Sequence, residues 1–146
     1  MSGRWDVLDE AASALRDAGA GEPAVGIVLG SGLGAFADGL EDAAEIPYSD
    51  VPGMASSTVP GHAGRFVFGT CRDVRVAVMQ GRIHLYEGHG VDRVVTGVCA
   101  LARLGVGRML VTNAAGGIRD DLRPGDFLRL TDHINLAGAN PVGGAE

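Results

Sequence analysis

The sequence predicts an α/β fold in which a mixed, twisted sheet is flanked by helices. Short apolar runs typical of buried strands end in glycine-rich turns, and the clearest is AVGIVL at 24–29, followed by GSGLG. A β-hairpin is predicted over 65–81 and an amphipathic helix over 91–105. At 146 residues the chain has the size of one domain.

The first half of the chain contains one helix, one strand and a long loop. The helix is predicted over residues 4–18 and ends at Gly19. The residues that share its apolar face are Trp5, Leu8, Ala12 and Leu15. The stretch 47–64 contains three prolines and has no periodicity, which predicts a loop of a length that is usually functional or disordered.

The second half begins with the hairpin, whose strands RFVFGT and VRVAVMQG are separated by CRD. The helix over 91–105 follows and ends at Gly105; its apolar positions are Val91, Val94, Val95, Val98, Leu101 and Ala102. RMLVTN is predicted to be a buried strand that ends at the turn AAGG. DFLRLTDHINL is predicted to begin as another strand after the turn RPGD.

Composition excludes several classes of function. The net charge of −6 does not favour binding to nucleic acid, and all twelve basic residues are arginine, which excludes chemistry that depends on lysine. No apolar run approaches the ~20 residues that span a bilayer, and the acidic N-terminus has no apolar centre typical of an export signal. The two cysteines show no pairing pattern, so we expect a cytoplasmic protein.

The glycine turn after the first strand admits three ligands. Gly30, Gly32 and Ala35 match G-x-G-x-x-A, but a dinucleotide site also needs an acidic residue at the end of a second strand. Asp50 lies at about the right number of residues after the glycine turn, yet it is in an irregular stretch, and no helix of adequate length separates it from the turn. A nucleoside triphosphate loop needs a lysine. Backbone N–H groups with the Ser31 hydroxyl suit a small anion, and a turn without any ligand is the remaining alternative.

Ligands of such sheets bind beyond the carboxyl ends of the strands, which groups the turn GSGLG with GRIHLYEGHG and NAAGG. In an extended segment, Arg82, His84 and Tyr86 point to one side. They offer a donor fork for phosphate, a second donor and a flat apolar face. Glu87 would orient Arg82 or His84, or accept a proton from phosphate. A solvated polar loop is the alternative for this segment.

The third stretch contributes Asn113, whose side chain both donates and accepts hydrogen bonds, although a simple tight turn would also explain it. No metal site is predicted. His84 and His89 are five residues apart, which is neither helical nor strand spacing for a shared ligand, and no Cys or Asp completes a set.

Together these segments closely resemble the trimeric class of purine nucleoside phosphorylases. The matching motifs, in the family's order and at about its spacing, are GIVLGSGLG, VPGHAGRFVFG, MQGRIHLYEGH, VTNAAGGI and DHINL. The resemblance runs from about residue 24 to Pro141 and covers the first half of the family's usual length. It implies that inorganic phosphate cleaves purine nucleosides of the inosine or guanosine type to free base and ribose 1-phosphate, in purine salvage. It also implies a homotrimer, no organic cofactor and no metal.

The resemblance implies roles for individual residues. The phosphate site would consist of Ser31, His62, Arg82, His84 and the backbone of Ala114. The ribose and base would lie against Tyr86, Asn113, Ala115 and Gly116. The catalytic residues would be His62, which closes over phosphate and ribose from the loop VPGHAGR, His84, and Glu87, which partners phosphate.

The chain departs from the family at its end, NPVGGAE. In the family, the acid and amide that recognise the purine, and another serine of the phosphate site, lie further on. We therefore expect residues 1–146 to be a partial domain: a fragment, a truncated reading frame or half of a split protein, with an open sheet edge and little activity alone. The alternatives are a methylthioadenosine phosphorylase relative and a non-catalytic fragment that binds phosphate or nucleoside.

Overall fold

The structure, a computed structural model, describes residues 3–55 and 63–141. The helices are α1 (Arg4–Asp17), α2 (Ala35–Asp38) and α3 (Val91–Arg103), and short 3₁₀ turns cover Tyr48–Asp50 and Leu85–Glu87. The strands are β1 (Val25–Val28), β2 (Glu41–Pro47), β3 (Arg65–Cys71), β4 (Val74–Gln80) and β5 (Met109–Val111). They form one sheet in the order β2-β3-β4-β1-β5, in which β4, β1 and β5 are parallel and β2, β3 and β4 antiparallel. The predicted mixed α/β fold is confirmed.

Strands β3 and β4 form the predicted hairpin. Cys71 is paired with Val74, so Arg72 and Asp73 alone turn the chain. Their φ angles of 47° and 64° are those of a two-residue turn whose twist matches that of the flanking strands. At the other end of the hairpin Arg65 lies opposite Gln80, at the edge where the predicted ligand loops emerge.

Alternate residues of the strands divide the core between the two faces of the sheet. One face packs against both long helices through Phe66, Phe68 and Met79. The helix residues buried in this cluster are Ala11, Leu15, Ala100 and Leu101. The other face packs against α2 and the segment around it; its buried residues are Ile27, Leu29, Ala37, Leu40, Val67, Val76 and Val78.

The two predicted helices are confirmed, but their buried faces differ from the predicted ones. On α1, Leu8, Ala12 and Leu15 are buried, whereas Trp5 is 60% exposed and its ring lies 5.2 Å from the Arg103 guanidinium. The buried residues of α3 are Thr96, Gly97, Ala100 and Leu101, and Ala102 is exposed. The buried face is shifted towards Gly97. A Cβ at this position would collide with Met79, so glycine allows the helix to lie close to the sheet. None of the described helices is long and apolar enough to cross a membrane.

Three local features differ from what the sequence predicts. β2 was missed, because Ile46 is its only buried residue and its polar positions do not alternate. β5 is a strand as predicted, but it is not buried: Leu110 and Val111 are 54% and 59% exposed, because neither apolar cluster of the described chain extends to its side chains. Residues 126–136 form no strand, because in the described chain their backbone has no ladder partner. The large exposed apolar residues from 118 to 136 are Ile118, Phe127, Leu128, Leu130, Ile134 and Leu136.

The predicted loop at 47–64 is only partly irregular. Its residues 56–62 lie outside the described residues, whereas Tyr48 is 1% exposed and packs edge-on against Phe66 at 5.0 Å between ring centroids. The Tyr48 hydroxyl donates a hydrogen bond of 2.7 Å to the carbonyl of Gly81. This bond ties the start of the loop to the turn that follows β4.

We expect Tyr48→Phe to lower the free energy of unfolding by about 1 kcal/mol at pH 7, because the Gly81 carbonyl loses its donor. Burial raises the pKa of Tyr48 above its usual 10.0. The fold therefore favours the neutral phenol, and its contribution is complete below pH ~10 and is lost as the pH rises further. Urea unfolding between pH 7 and 11 should show a shallower alkaline loss of stability in Tyr48→Phe. Tyr86→Phe, at a 75% exposed position, is the control, and equal alkaline slopes in Tyr48→Phe and the wild type would contradict the prediction.

Candidate active site

Three loops leave the sheet at the same edge. Strands β4, β1 and β5 are parallel neighbours, so the segments that follow them, 81–90, 29–34 and 112–117, all start at their carboxyl ends. The structure thus brings together the three stretches that the sequence groups into one site.

The loops after β1 and β5 are in direct contact. The Gly30 N–H donates a hydrogen bond of 2.8 Å to the Thr112 hydroxyl, which donates in turn to the Val28 carbonyl at 2.9 Å. A Cβ on Gly30 would lie 2.7 Å from the Cα of Asn113, so only glycine allows the two backbones to approach so closely. Thr112 therefore holds the start of the glycine turn beside Asn113, a role that the sequence alone does not indicate.

We expect Gly30→Ala to lower the free energy of unfolding by about 1–3 kcal/mol, because the added methyl group pushes the two loops apart. The measurement is urea unfolding followed by circular dichroism. Gly107→Ala is the matched control, since a Cβ there meets no atom within 4 Å. An equal loss of stability in both variants would show that close backbone approach is not the reason for glycine at position 30.

A cavity of about 80 Å³ lies between the glycine turn and the end of β4. The residues that line it are Leu29, Gly30, Ser31, Gly32, Gly34, Ala63, Gln80 and Gly81. Among the described residues, Ser31 is the one predicted site residue in this wall. The exposed Ser31 and the left-handed Gly32, at φ 84°, form the turn between β1 and α2. The wall therefore combines backbone, a hydroxyl and the buried amide of Gln80.

The loop after β4 carries Arg82, His84 and Glu87, which are all half-buried. The Glu87 carboxylate accepts a hydrogen bond of 2.7 Å from the backbone N–H of His84. The Tyr86 ring stacks on the His84 ring, with centroids 4.7 Å apart and an interplanar angle of 14°. Glu87 thus holds the backbone of His84, and Tyr86 packs against its imidazole ring.

The predicted extended geometry of 82–86 holds only as far as His84. Residues Leu85–Glu87 form a 3₁₀ turn that ends at Gly88, with φ 83°. The 3₁₀ turn brings Tyr86 against His84. The predicted reason, that alternate residues of an extended segment point to one side, does not apply. Its ring is 75% exposed.

The other predicted site residues have no enclosing wall in the described part of the chain. Asn113, Ala114, Ala115 and Gly116 are exposed. His62 lies outside the described residues. Within the described ranges no three His, Cys, Asp or Glu residues lie close enough to share a metal ion, and Cys71 and Cys99 are unpaired and half-buried.

The chain path after the glycine turn excludes the dinucleotide interpretation. α2 has four residues and leads into β2, which pairs antiparallel with β3 at the far edge of the sheet. A dinucleotide site needs a full helix that crosses to a neighbouring parallel strand, with the acidic residue at the end of that strand. Asp50 instead lies in a 3₁₀ turn beyond β2.

Comparison with known proteins gives the family. Residues 24–146 match the family model described as the phosphorylase superfamily. This chain belongs to the phosphorylase superfamily. It is 47% identical over 135 residues to purine nucleoside phosphorylase 1 of Geobacillus stearothermophilus. This alignment covers 92% of this chain and 49% of that relative.

Solved structures of the superfamily agree. A purine nucleoside phosphorylase in complex with ribose-1-phosphate aligns with a TM-score of 0.73 and 41% identity, over 82% of this chain and 44% of that one. The enzyme of Schistosoma mansoni in complex with inosine aligns with a TM-score of 0.73 and 38% identity, over 83% and 42%. The resemblance to purine nucleoside phosphorylases is confirmed. The chain spans about half the length of the curated relatives it matches.

Proposed function

We propose that this chain forms the phosphate- and ribose-binding part of a purine nucleoside phosphorylase. The observation that supports this most directly is the contact of the glycine turn with the loop after β5, beside a cavity lined by Ser31 and Gln80. These loops contain the motifs that resemble the family. The reaction is the cleavage of inosine- or guanosine-type nucleosides by inorganic phosphate to free base and ribose 1-phosphate, in purine salvage.

Phosphate is the group that this edge of the sheet suits best. Arg82 has a planar fork of donors that matches phosphate oxygens, and His84 adds a ring donor. Ser31, the backbone of the glycine turn and the backbone of Ala114 supply further donors. Each charge-assisted contact contributes ~1.5–3 kcal/mol. Glu87 already holds the backbone of His84 and would accept a proton from monoprotonated phosphate.

The sugar and base would lie on the outer side of the phosphate. Tyr86, stacked on His84, presents an exposed apolar ring directly beside a phosphate donor. Asn113, Ala115 and Gly116 continue the same edge towards the base. His62 would close over phosphate and ribose.

In the reaction, a phosphate oxygen forms a bond to the anomeric carbon of ribose while the bond from that carbon to the purine nitrogen breaks. The electron pair of the broken bond leaves with the purine, which takes up a proton. Positive charge that develops on the sugar is stabilised by the phosphate dianion below it. The contribution of this chain is to hold phosphate in line and keep water away.

The proposed reaction needs no organic cofactor and no metal, because phosphate is both the nucleophile and the charge that stabilises the developing cation. We propose a cytoplasmic homotrimer. Relatives solved with ribose-1-phosphate and with inosine support the choice of product and substrate.

The test measures base release from inosine, adenosine and methylthioadenosine, each with and without phosphate, on this chain and on a version extended to the relatives' length. Phosphate-dependent release of hypoxanthine with formation of ribose 1-phosphate is expected. Release that does not depend on phosphate would overturn the proposal. Preference for methylthioadenosine would favour the related phosphorylases of that substrate.

A second candidate is a non-catalytic chain that binds phosphate or nucleoside. Among the described residues that line the cavity beside the glycine turn, none is an acid that could protonate a leaving purine. Calorimetry with phosphate and with inosine distinguishes the two. Binding without turnover in either version of the chain would favour the second candidate.

A further inference from the structure

Gln80 is a buried amide at the end of an otherwise apolar strand, directly beside the cavity. Of the described residues, Gln80 and Thr96 are the buried polar ones besides Tyr48 and its hydroxyl, with 8% and 7% of their surface exposed. A buried amide is costly unless its donors and acceptor are all used, so its partners define its role.

Arg65 determines which way the amide faces. The two residues are opposite each other in the β3–β4 ladder, and the Arg65 Nε donates a hydrogen bond of 2.6 Å to Gln80 Oε1. Arg65 is itself held by Glu45 at 2.7 Å and Asp38 at 3.2 Å. Because guanidinium groups only donate, the amide oxygen must face Arg65 and the amide NH₂ group must face the opposite way.

The NH₂ group of Gln80 faces the glycine turn. It donates to the Gly34 carbonyl at 2.9 Å and approaches Asp38 Oδ1 at 3.4 Å. These residues are the one before α2 and its last residue. Gln80 therefore bonds to both ends of this short helix.

The turn is consequently fixed at its two ends by two side chains from neighbouring strands and loops. Thr112 holds Gly30 at the start, and Gln80 holds Gly34 at the end. Between them Ser31 is exposed, and a Cβ on Gly32 would meet no atom within 4 Å, so packing does not position these two residues. Leu33 packs against the apolar cluster around α2, and its N–H donates to the Gly30 carbonyl at 3.2 Å. The two side-chain anchors add to these contacts at the ends of the turn.

We propose that Gln80, oriented by Arg65, is a positioning residue that sets the backbone of the turn 30–34 for binding of an inorganic oxyanion. The inference rests on the proposed function, since phosphate is the anion concerned. Gln80 acts through the Gly34 carbonyl, and loss of its NH₂ group leaves the end of the turn with only the backbone bond from the Ala37 N–H. Phosphate then meets donors that no longer share one arrangement, and its affinity falls.

The experiment compares the wild type with Gln80→Met, which removes the amide and keeps the length of the side chain. Amide hydrogen exchange of residues 31–34, read at the Leu33 N–H that donates to the Gly30 carbonyl, is expected to become about tenfold faster by NMR, with unchanged exchange in β1 and β4. The dissociation constant for inorganic phosphate, from calorimetry, is expected to rise about tenfold.

Thr96→Val is the matched control. It removes a second buried polar group, whose hydroxyl donates to the Asp92 carbonyl within α3, the helix that packs on the opposite face of the sheet from α2. It is expected to change stability but neither the exchange of residues 31–34 nor the phosphate affinity. Gln80→Glu keeps the size of the side chain and the bond from Arg65 but places an oxygen against the Gly34 carbonyl. It should therefore exchange as fast as Gln80→Met.

Arg65→Met tests the orienting step. Its loss of phosphate affinity is expected to be smaller than that of Gln80→Met, and the double variant should bind no more weakly than Gln80→Met alone. Full additivity would overturn the role given to Arg65. If the wild type binds phosphate and Gln80→Met binds it equally well, the positioning role is overturned. If the wild type binds no phosphate, the proposed function fails instead, and the exchange of residues 31–34 alone decides whether Gln80 holds the turn.

Discussion

Replacement of Phe66 by alanine is expected to lower the free energy of unfolding by about 3–5 kcal/mol. Phe66 is fully buried between the sheet and the long helices. Its ring packs edge-on against Tyr48 and lies parallel to Phe68, with centroids 6.2 Å apart. Truncation leaves a cavity under two aromatic rings whose own positions are fixed by the ladder and by the bond from Tyr48 to Gly81.

The measurement for Phe66→Ala is the urea midpoint of the 146-residue chain at constant m-value. Phe127→Ala removes the same side chain from a position that is 90% exposed, so it serves as the control and should change stability by less than about 0.5 kcal/mol. A loss below about 1 kcal/mol in Phe66→Ala would mean that the aromatic cluster is not the main core of this chain.

Replacement of Arg82 by alanine is expected to lower kcat/KM for phosphate by about 10²-fold, which corresponds to ~2.7 kcal/mol. Arg82 is half-buried in the loop after β4, two residues before the stacked pair of His84 and Tyr86. Its loss removes the bidentate donor that the proposed site contains, while the other donors and the nucleoside contacts remain. KM for inosine should change much less than the dependence on phosphate.

The test of Arg82→Ala uses initial rates at varied phosphate and fixed inosine, on the version extended to the relatives' length. Arg72→Ala removes the same charge from the hairpin turn, at the opposite end of β4, and is the control. If Arg82→Ala and Arg72→Ala show the same phosphate dependence, Arg82 does not belong to the phosphate site. Calorimetry on the 146-residue chain should show the same difference in phosphate affinity.

Local sequence patterns were sufficient to predict the positions of most helices and strands. Helices α1 and α3, strands β1 and β5 and the β3–β4 hairpin lie where periodicity and turn residues predict them. β2 escaped because an edge strand with one buried residue, Ile46, has no period to read. Burial was less predictable than element type: Trp5 and Val111 are apolar yet exposed, since neither lies in an apolar cluster of the described chain.

The candidate site was likewise predictable in its location but not in its supporting contacts. The rule that ligands bind at the carboxyl ends of the strands grouped the three predicted loops correctly, because parallel strands end at one edge of the sheet. It did not reveal Thr112 or Gln80, which reach the glycine turn from 82 and 46 residues away. In the sequence, Gln80 is visible only as an uncharged polar residue in an apolar strand, and its partner Arg65 lies 15 residues earlier.

By itself, the sequence determined the α/β class, the positions of the main elements and the chemistry of the residues at the ends of the strands. These follow from periodicity, glycine placement and side-chain type, which act within a few residues of the chain. Only the tertiary structure decided that β2 lies at the far edge, that β5 is exposed and that Gln80 and Thr112 hold the two ends of the glycine turn. The reason is that strand order and buried hydrogen bonds join residues far apart in sequence, and their pairing is decided by the geometry of the whole sheet.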